Sequence, residues 1–107
     1  MAYDRELVER LHALLSGEPG LVEKRMFGGV AFMVSGSLTV AAMSDGDLLA
    51  RVGREDAPGL IGPGVFQMAM KGRPMTGWLR VSAEVCDDDV ALELWVRRCV
   101  AFVQTLD

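Results

Sequence analysis

The chain has 107 residues, enough for one domain with its own hydrophobic core, so we expect a single domain over residues 1–107. Half of the residues are hydrophobic and 24% are charged, a composition that excludes an intrinsically disordered chain. The formal net charge of −4 argues against a free-standing binder of duplex DNA, because neutralisation of phosphates dominates the affinity of such proteins.

No apolar run approaches the ~20 residues that cross a bilayer, so we expect no membrane contact. The polar start of the chain, Met1–Glu6, lacks the basic and apolar regions of a signal peptide, which favours a cytoplasmic location. Cys86 and Cys99 are the only cysteines, and their spacing fits neither a zinc site nor a redox motif. We expect two buried or half-buried thiols.

The first predicted element is an amphipathic helix over Asp4–Ser16, because leucines recur on one helical face. Asp4 is the expected N-cap, and Gly17 contributes to the end of the helix. An antiparallel meander follows, and its Asp45-Gly46 turn is a strong hairpin signal. The strands predicted for this meander are 22–27, 30–34, 38–43 and 48–52.

The second half of the chain is predicted to hold a short helix over 54–61, strands over 66–70 and 78–82, and a C-terminal helix over 87–106. Residues 71–77 are expected to form a loop between the two strands. Because the turns between strands are too short for crossovers, the sheet should be mainly antiparallel. We therefore predict an α+β fold, a two-layer sandwich whose N- and C-terminal helices cover one face of the sheet.

No complete set of catalytic residues is present in the sequence. His12 is the only histidine, it has no partner that the sequence identifies, and we expect it at the surface. The acidic clusters at 45–47 and 87–89 lack the spacing of a calcium loop, and turn or helix-cap roles explain them. We therefore predict a protein that is not an enzyme and has no cofactor and no metal site.

Two strings are the most specific features of the chain: residues 23–29 (EKRMFGG) and residues 70–78 (MKGRPMTGW). Each places cations beside glycines and runs into an apolar, strand-like segment. One interpretation is a surface for an anion or an acidic partner, and the other is a solvated strand face that keeps the sheet soluble. The predicted interaction residues are Lys24, Arg25, Gly28, Gly29, Lys71, Arg73, Met75 and Trp78.

Both strings resemble conserved elements of the N-terminal domain of the TfoX/Sxy family, whose founding members regulate natural competence for DNA uptake in bacteria. The first is similar to the family element K-R-M-F-G-G and the second to G-R-P-M-x-G-W, and the resemblance covers nearly the whole chain. It implies the same helix and strand order, with Phe27 and Trp78 packed in the core. Full-length regulators also carry a C-terminal helical domain, which we expect to be absent because this chain stops at Asp107.

Our leading hypothesis is a non-enzymatic interaction domain, a transcription- or competence-related adaptor with an unidentified protein partner, for which a homodimer is one option. The first alternative is a weak nucleic-acid binder that uses a basic sheet and loop face, formed by six cations: Lys24, Arg25, Arg51, Lys71, Arg73 and Arg80. The second is a small-ligand domain with a pocket near Phe27, Gly29, Arg73 and Trp78. Six methionines in the sheet region are expected to fill the core, with Met70 and Met75 as a candidate docking patch.

Overall fold

The computed structural model describes residues 4–26 and 28–106. The helices are α1 (Arg5–Leu15), α2 (Ala57–Leu60), α3 (Ala83–Cys86) and α4 (Asp89–Val103). The strands are β1 (Val22–Met26), β2 (Gly29–Val34), β3 (Ser37–Ala42), β4 (Leu48–Arg51), β5 (Val65–Met70) and β6 (Arg73–Val81). The predicted order of elements is confirmed, with one addition, the single turn α3 before the C-terminal helix.

The six strands form one sheet in the order β1-β2-β3-β4-β6-β5. Every neighbouring pair is antiparallel, so the prediction of an antiparallel sheet is confirmed. Strands β1 to β4 are a simple meander. The chain then passes through α2 to the far edge, where β5 begins, and returns as β6 between β5 and β4.

All four helices lie on one face of the sheet. Their buried side chains belong to a single core cluster, which they share with alternate residues of the strands. The leucines of α1 and the apolar stripe of α4 meet Phe32, Val40 and Leu79 in this cluster, and α4 lies over β3 and β4. The two-layer α+β sandwich predicted from the sequence is therefore confirmed.

Two hairpin turns have two central residues with positive φ, as in the type I′ turn, whose twist matches that of the flanking strands. They are Ser35-Gly36 (φ 52° and 85°) and Lys71-Gly72 (φ 52° and 78°). The prediction of a loop over 71–77 is wrong from Arg73 onward, because β6 begins at that residue. Pro74 is tolerated there, since this part of β6 extends past β4 and pairs only with β5.

Acidic residues have the turn and helix-cap roles that the sequence predicted, and in the 45–47 turn the Asp45 carboxylate accepts the backbone N–H of Asp47 (3.0 Å). The Asp4 carboxylate caps α1, accepting the backbone N–H groups of Glu6 (2.9 Å) and Leu7 (3.2 Å). Asp88 caps α4 in the same way through the N–H of Val90 (2.9 Å). The C-terminal helix therefore begins at Asp89, two residues later than predicted, because Asp88 is its cap.

Both cysteines are buried, as predicted: Cys86 packs from α3 and Cys99 from α4 into the core. Because burial disfavours the charged thiolate, the pKa of each thiol is raised from its ordinary value of 9.0 to about 12. At neutral pH both are protonated, apolar members of the core.

The raised thiol pKa values predict a loss of stability at alkaline pH. Between pH 9 and 12 the unfolded chain ionises Cys86 and Cys99, while the native chain keeps them protonated. The free energy of unfolding should therefore fall by on the order of 1 kcal/mol per pH unit for each thiol. Urea denaturation from pH 8 to 11 measures this slope, and the Cys86→Ala/Cys99→Ala variant should show a shallower one. Equal slopes for both proteins would contradict the assignment.

A second prediction concerns Gly29, where β2 begins. A Cβ at this position would collide with the carbonyl oxygen of Ala42 on the neighbouring strand. We expect Gly29→Ala to lower the free energy of unfolding by roughly 3 kcal/mol, because backbone atoms must separate. The control is Gly17→Ala, where a Cβ meets nothing within 4 Å and the expected change is within about 0.5 kcal/mol. Chemical denaturation of both variants tests the comparison, and a Gly29→Ala variant as stable as the control would refute it.

Candidate interaction surface

The face of the sheet opposite the helices carries its own apolar cluster, which we call the uncovered face. Its buried members are Ala31, Ala41, Met43, Leu49 and Met68, and its half-buried members are Leu38, Met75 and Trp78. In the described part of the chain, no helix contributes a residue to this cluster. Long methionine and tryptophan side chains pack with the short alanines instead, so the half-buried members Leu38, Met75 and Trp78 are the part of this cluster that solvent reaches.

A bend in the β5–β6 hairpin directs Met68 and Met75 into the uncovered face. The pairing register shifts between Gln67 and Ala69, at the level of Met68. The side-chain amide of Gln67 holds this bend by donating to the carbonyl oxygens of Met68 (2.8 Å), Met75 (2.8 Å) and Trp78 (3.2 Å). Sequence reasoning missed Gln67, because a single polar residue in an alternating strand gives no sign of contacts eleven residues away.

Strand β1 is one edge of the sheet, and all five of its residues are exposed. Lys24 lies opposite Ala31 and Val22 lies opposite Met33, so these side chains are on the side of the uncovered face. Val22 is 47% exposed and Met26 is 38% exposed. We call Val22, Lys24 and Met26 the edge strip. No strand of the described residues pairs with the outer side of β1.

The two strings singled out from the sequence lie on different edges of the sheet. Lys24 and Arg25 are on β1, whereas Lys71 and Arg73 are at the turn that joins β5 to β6, on the far edge. The turns themselves, at Gly28 and at Lys71-Gly72, are at opposite ends of the antiparallel sheet. The interaction roles of these residues stay predictions, and the structure assigns the two strings to separate surfaces.

The glycines of the first string have a clear architectural role. Gly28 has a φ of 72°, and a Cβ there would lie 2.9 Å from the Cβ of Ser44. Gly29 abuts the backbone of Ala42. Phe27, for which the resemblance implied core packing, lies outside the described residues. Trp78 of the second string is half-buried in the uncovered face.

Arg51 and Arg80, which the nucleic-acid hypothesis requires, already have partners within the fold. Arg80 is paired with the carboxylates of Asp45 and Asp47. The guanidinium of Arg51 lies 5.0 Å from the ring centroid of Trp78 and 5.6 Å from that of Phe102. These contacts use charge that phosphate binding would need, so the geometry does not favour a nucleic-acid surface.

The acidic residues, the cysteines and the one histidine of the described chain are spread over the fold. Within residues 4–26 and 28–106, no group of three or more His, Cys, Asp or Glu side chains is placed to hold a metal ion. His12 is exposed on α1, and its Nε2 lies 3.4 Å from the Glu23 carboxylate. The helices described here include none long and apolar enough to cross a bilayer.

Three adjoining cavities lie beside Phe102, between α2, the end of α4 and the middle of β6. The smallest, about 170 Å³, is lined by Trp78 and Gly77. The sequence predicted a pocket near Gly29 and Arg73, but neither residue lines any of these three cavities. The small-ligand alternative therefore has a cavity to use, but at a different place.

Comparison with known proteins gave one match. A family model described as the TfoX N-terminal domain matches residues 13–103. Neither the search of curated proteins nor the search of solved structures returned a match. The matched range spans the whole sheet, the last turn of α1 and all of α4, so it includes the uncovered face, the edge strip and every residue that lines the cavities except Thr105.

Proposed function

Because that family model covers nearly the whole chain, the chain belongs to the TfoX N-terminal domain family, and we propose that it is a non-enzymatic interaction domain. Its partner is another protein, which adds an extended segment to strand β1. The domain serves as an adaptor in transcription or competence control, working in the cytoplasm, where the sequence predicts the protein to be. The observation that carries this proposal is an exposed edge strand beside a sheet face that no described helix covers.

The geometry of β1 supports strand addition. An unpaired edge presents a row of backbone N–H and C=O groups, and an extended peptide can pair with them. The run Val22–Met26 is exposed throughout, and because β1 pairs with β2 on one side, alternate residues direct their backbone groups outward toward an added strand. Backbone hydrogen bonds supply affinity in such complexes, whereas side chains at alternate positions supply specificity.

The edge strip defines the chemistry of the partner segment. Val22 and Met26 flank Lys24 on the same side of β1, so an apolar, a basic and an apolar position alternate there. Lys24 forms no ion pair with a described residue. A partner strand with a carboxylate opposite Lys24 and apolar side chains on either side complements this pattern. Charge alone would suffice to keep an edge soluble, whereas the exposed apolar pair is suited to binding.

The uncovered face extends this apolar surface inward from the edge. Met33 of β2 is half-buried and lies opposite Val22, next to Leu38 of β3 across the β2–β3 pair. Methionine side chains adapt their shape to different partners because they are flexible and polarisable. The edge strip, Met33 and Leu38 therefore form one continuous surface for the partner.

We predict that Lys24→Glu/Met26→Gln weakens partner binding at least tenfold, because it reverses the central charge and removes one apolar contact. A protein captured from the native cells by the wild-type domain should be depleted with this variant. Both positions are exposed, so the fold should be retained, as circular dichroism can check.

The matched control is Lys71→Glu/Met70→Gln, which makes the same two changes on the opposite edge. The exposed fraction of Met70 is 44%, similar to the 38% of Met26, and Lys71 is exposed as Lys24 is. The control should capture the same protein as the wild type. With the purified partner, hydrogen exchange should then slow at β1 amides and not at β5 amides.

Two results would contradict this proposal. Equal recovery by the wild type and the Lys24→Glu/Met26→Gln variant would remove β1 as the docking edge. Loss of the partner only with Lys71→Glu/Met70→Gln would move the site to the second string. Sedimentation of the purified domain separates self-association from binding of a different protein, because a dimer held at β1 should become monomeric in the first variant.

A further inference from the structure

The three cavities around Phe102 share lining residues and form one open groove, which we call the Phe102 groove. The two larger cavities have volumes of about 550 Å³ and 390 Å³, and both are lined by Val52, Phe102 and Thr105. Leu60 of α2 and Ala101 of α4 complete the apolar walls of the larger one. A volume of this size is typical of small-molecule sites, which range over about 300–1,000 Å³.

Two glycines bring together the chain segments that line the groove. Gly53 has a φ of 91°, and a Cβ on it would lie 2.5 Å from the Phe102 ring. A Cβ on Gly77 would lie 3.0 Å from the backbone N of Arg54. The Gly77 carbonyl also accepts the N–H groups of Val52 and Gly53, each at 3.0 Å. Backbone bonds therefore join β4 to β6 at this point, so the groove is part of the fold.

Arginine side chains without a carboxylate partner line the groove. Arg98 lies over the ring of Trp95 at 4.8 Å, and neither it nor Arg54 forms an ion pair with any residue in 4–26 or 28–106. By contrast, Arg10, Arg80 and Arg97 are all paired with carboxylates. Arg51, at the narrow end, is already held over two aromatic rings, so Arg98 and Arg54 are the arginines that can bind an anion, and the carboxylates of Glu55 and Asp56 also line the groove.

We propose that the Phe102 groove binds a small amphipathic carboxylate, an acid with one anionic group and an apolar aliphatic or aromatic body. The apolar body lies on Val52, Leu60 and Phe102. The carboxylate accepts hydrogen bonds from the guanidinium of Arg98 or Arg54, because the planar guanidinium can donate two parallel N–H bonds to its two oxygens. This site is separate from the edge strip, with which it shares no residue. The domain would therefore bind this small ligand as well as the proposed protein partner.

The test uses decanoate as the probe, with 1-decanol and decylamine as neutral and cationic analogues of the same chain length. Titration of the full chain at pH 7 is followed by amide NMR shifts and by calorimetry. Decanoate should bind saturably and shift the amides of Gly53, Gly59 and Thr105, which line the groove. Decanol should bind roughly tenfold more weakly, because it makes no charge-assisted bond, and decylamine more weakly still.

Variants assign the binding to the groove. We expect Arg98→Gln or Arg54→Gln to weaken decanoate about tenfold while leaving decanol unchanged. Ala101→Trp fills the groove from an exposed position and should abolish binding of both probes. The matched control is Ala13→Trp, which adds the same ring at an exposed alanine of α1 outside the groove and should bind decanoate as the wild type does.

Four outcomes would overturn the proposal. These are no saturable binding of decanoate below millimolar concentration, equal affinity for decanoate and decanol, unchanged decanoate affinity in both the Arg98→Gln and the Arg54→Gln variant, and full binding by the Ala101→Trp variant. Each removes one part of the argument: the site, the anion preference, the arginine role or the location. Circular dichroism of every variant shows whether a loss of binding reflects a loss of fold.

Discussion

The packing of every described helix against the same face of the sheet is the constraint on which the other features of this molecule depend. The apolar stripe of α4 crosses the central strands β3 and β4, and the leucines of α1 complete that layer. One side of the sheet therefore forms a conventional core. The other side has only strand side chains to exclude water, and it does so with long methionines placed beside alanines such as Ala31 and Ala41. A face closed in this way keeps an adaptable apolar surface, which is the physical basis for proposing a partner there.

Local patterns predicted much of this architecture. The spacing of Leu7, Leu11 and Leu15 predicted α1, and alternation with short turns predicted the strands and their antiparallel pairing. The position of β6 between β4 and β5 could not be predicted, because strand order depends on contacts between distant segments. The strand at 73–77 was missed for a related reason. Pro74 and Gly77 are typical of loops. Here Pro74 lies where β6 has one neighbouring strand, and Gly77 lies where β6 must bend.

The candidate site was harder to predict than the fold, because charge in a sequence does not reveal what lies beside it. Six cations looked equivalent along the chain. In the structure Arg80 is paired with two aspartates, and Arg51 is held over aromatic rings. Lys24 and Lys71, which share similar local sequence, are on opposite edges of the sheet. The groove beside Phe102 had no sequence signal at all, since its lining comes from α2, α4 and the β4 and β6 strand ends.

The two proposed sites depend on different parts of the same framework. The edge strip requires only that β1 stay paired with β2, whereas the Phe102 groove requires the close approach of Gly53, Gly77 and Phe102. A ligand changes binding at a second site only when it prefers one of two conformations of the protein. No residue that lines the three cavities of the groove belongs to β1 or to its neighbour β2. A carboxylate in the groove should therefore stabilise the native state by mass action and leave the affinity of β1 for its partner unchanged.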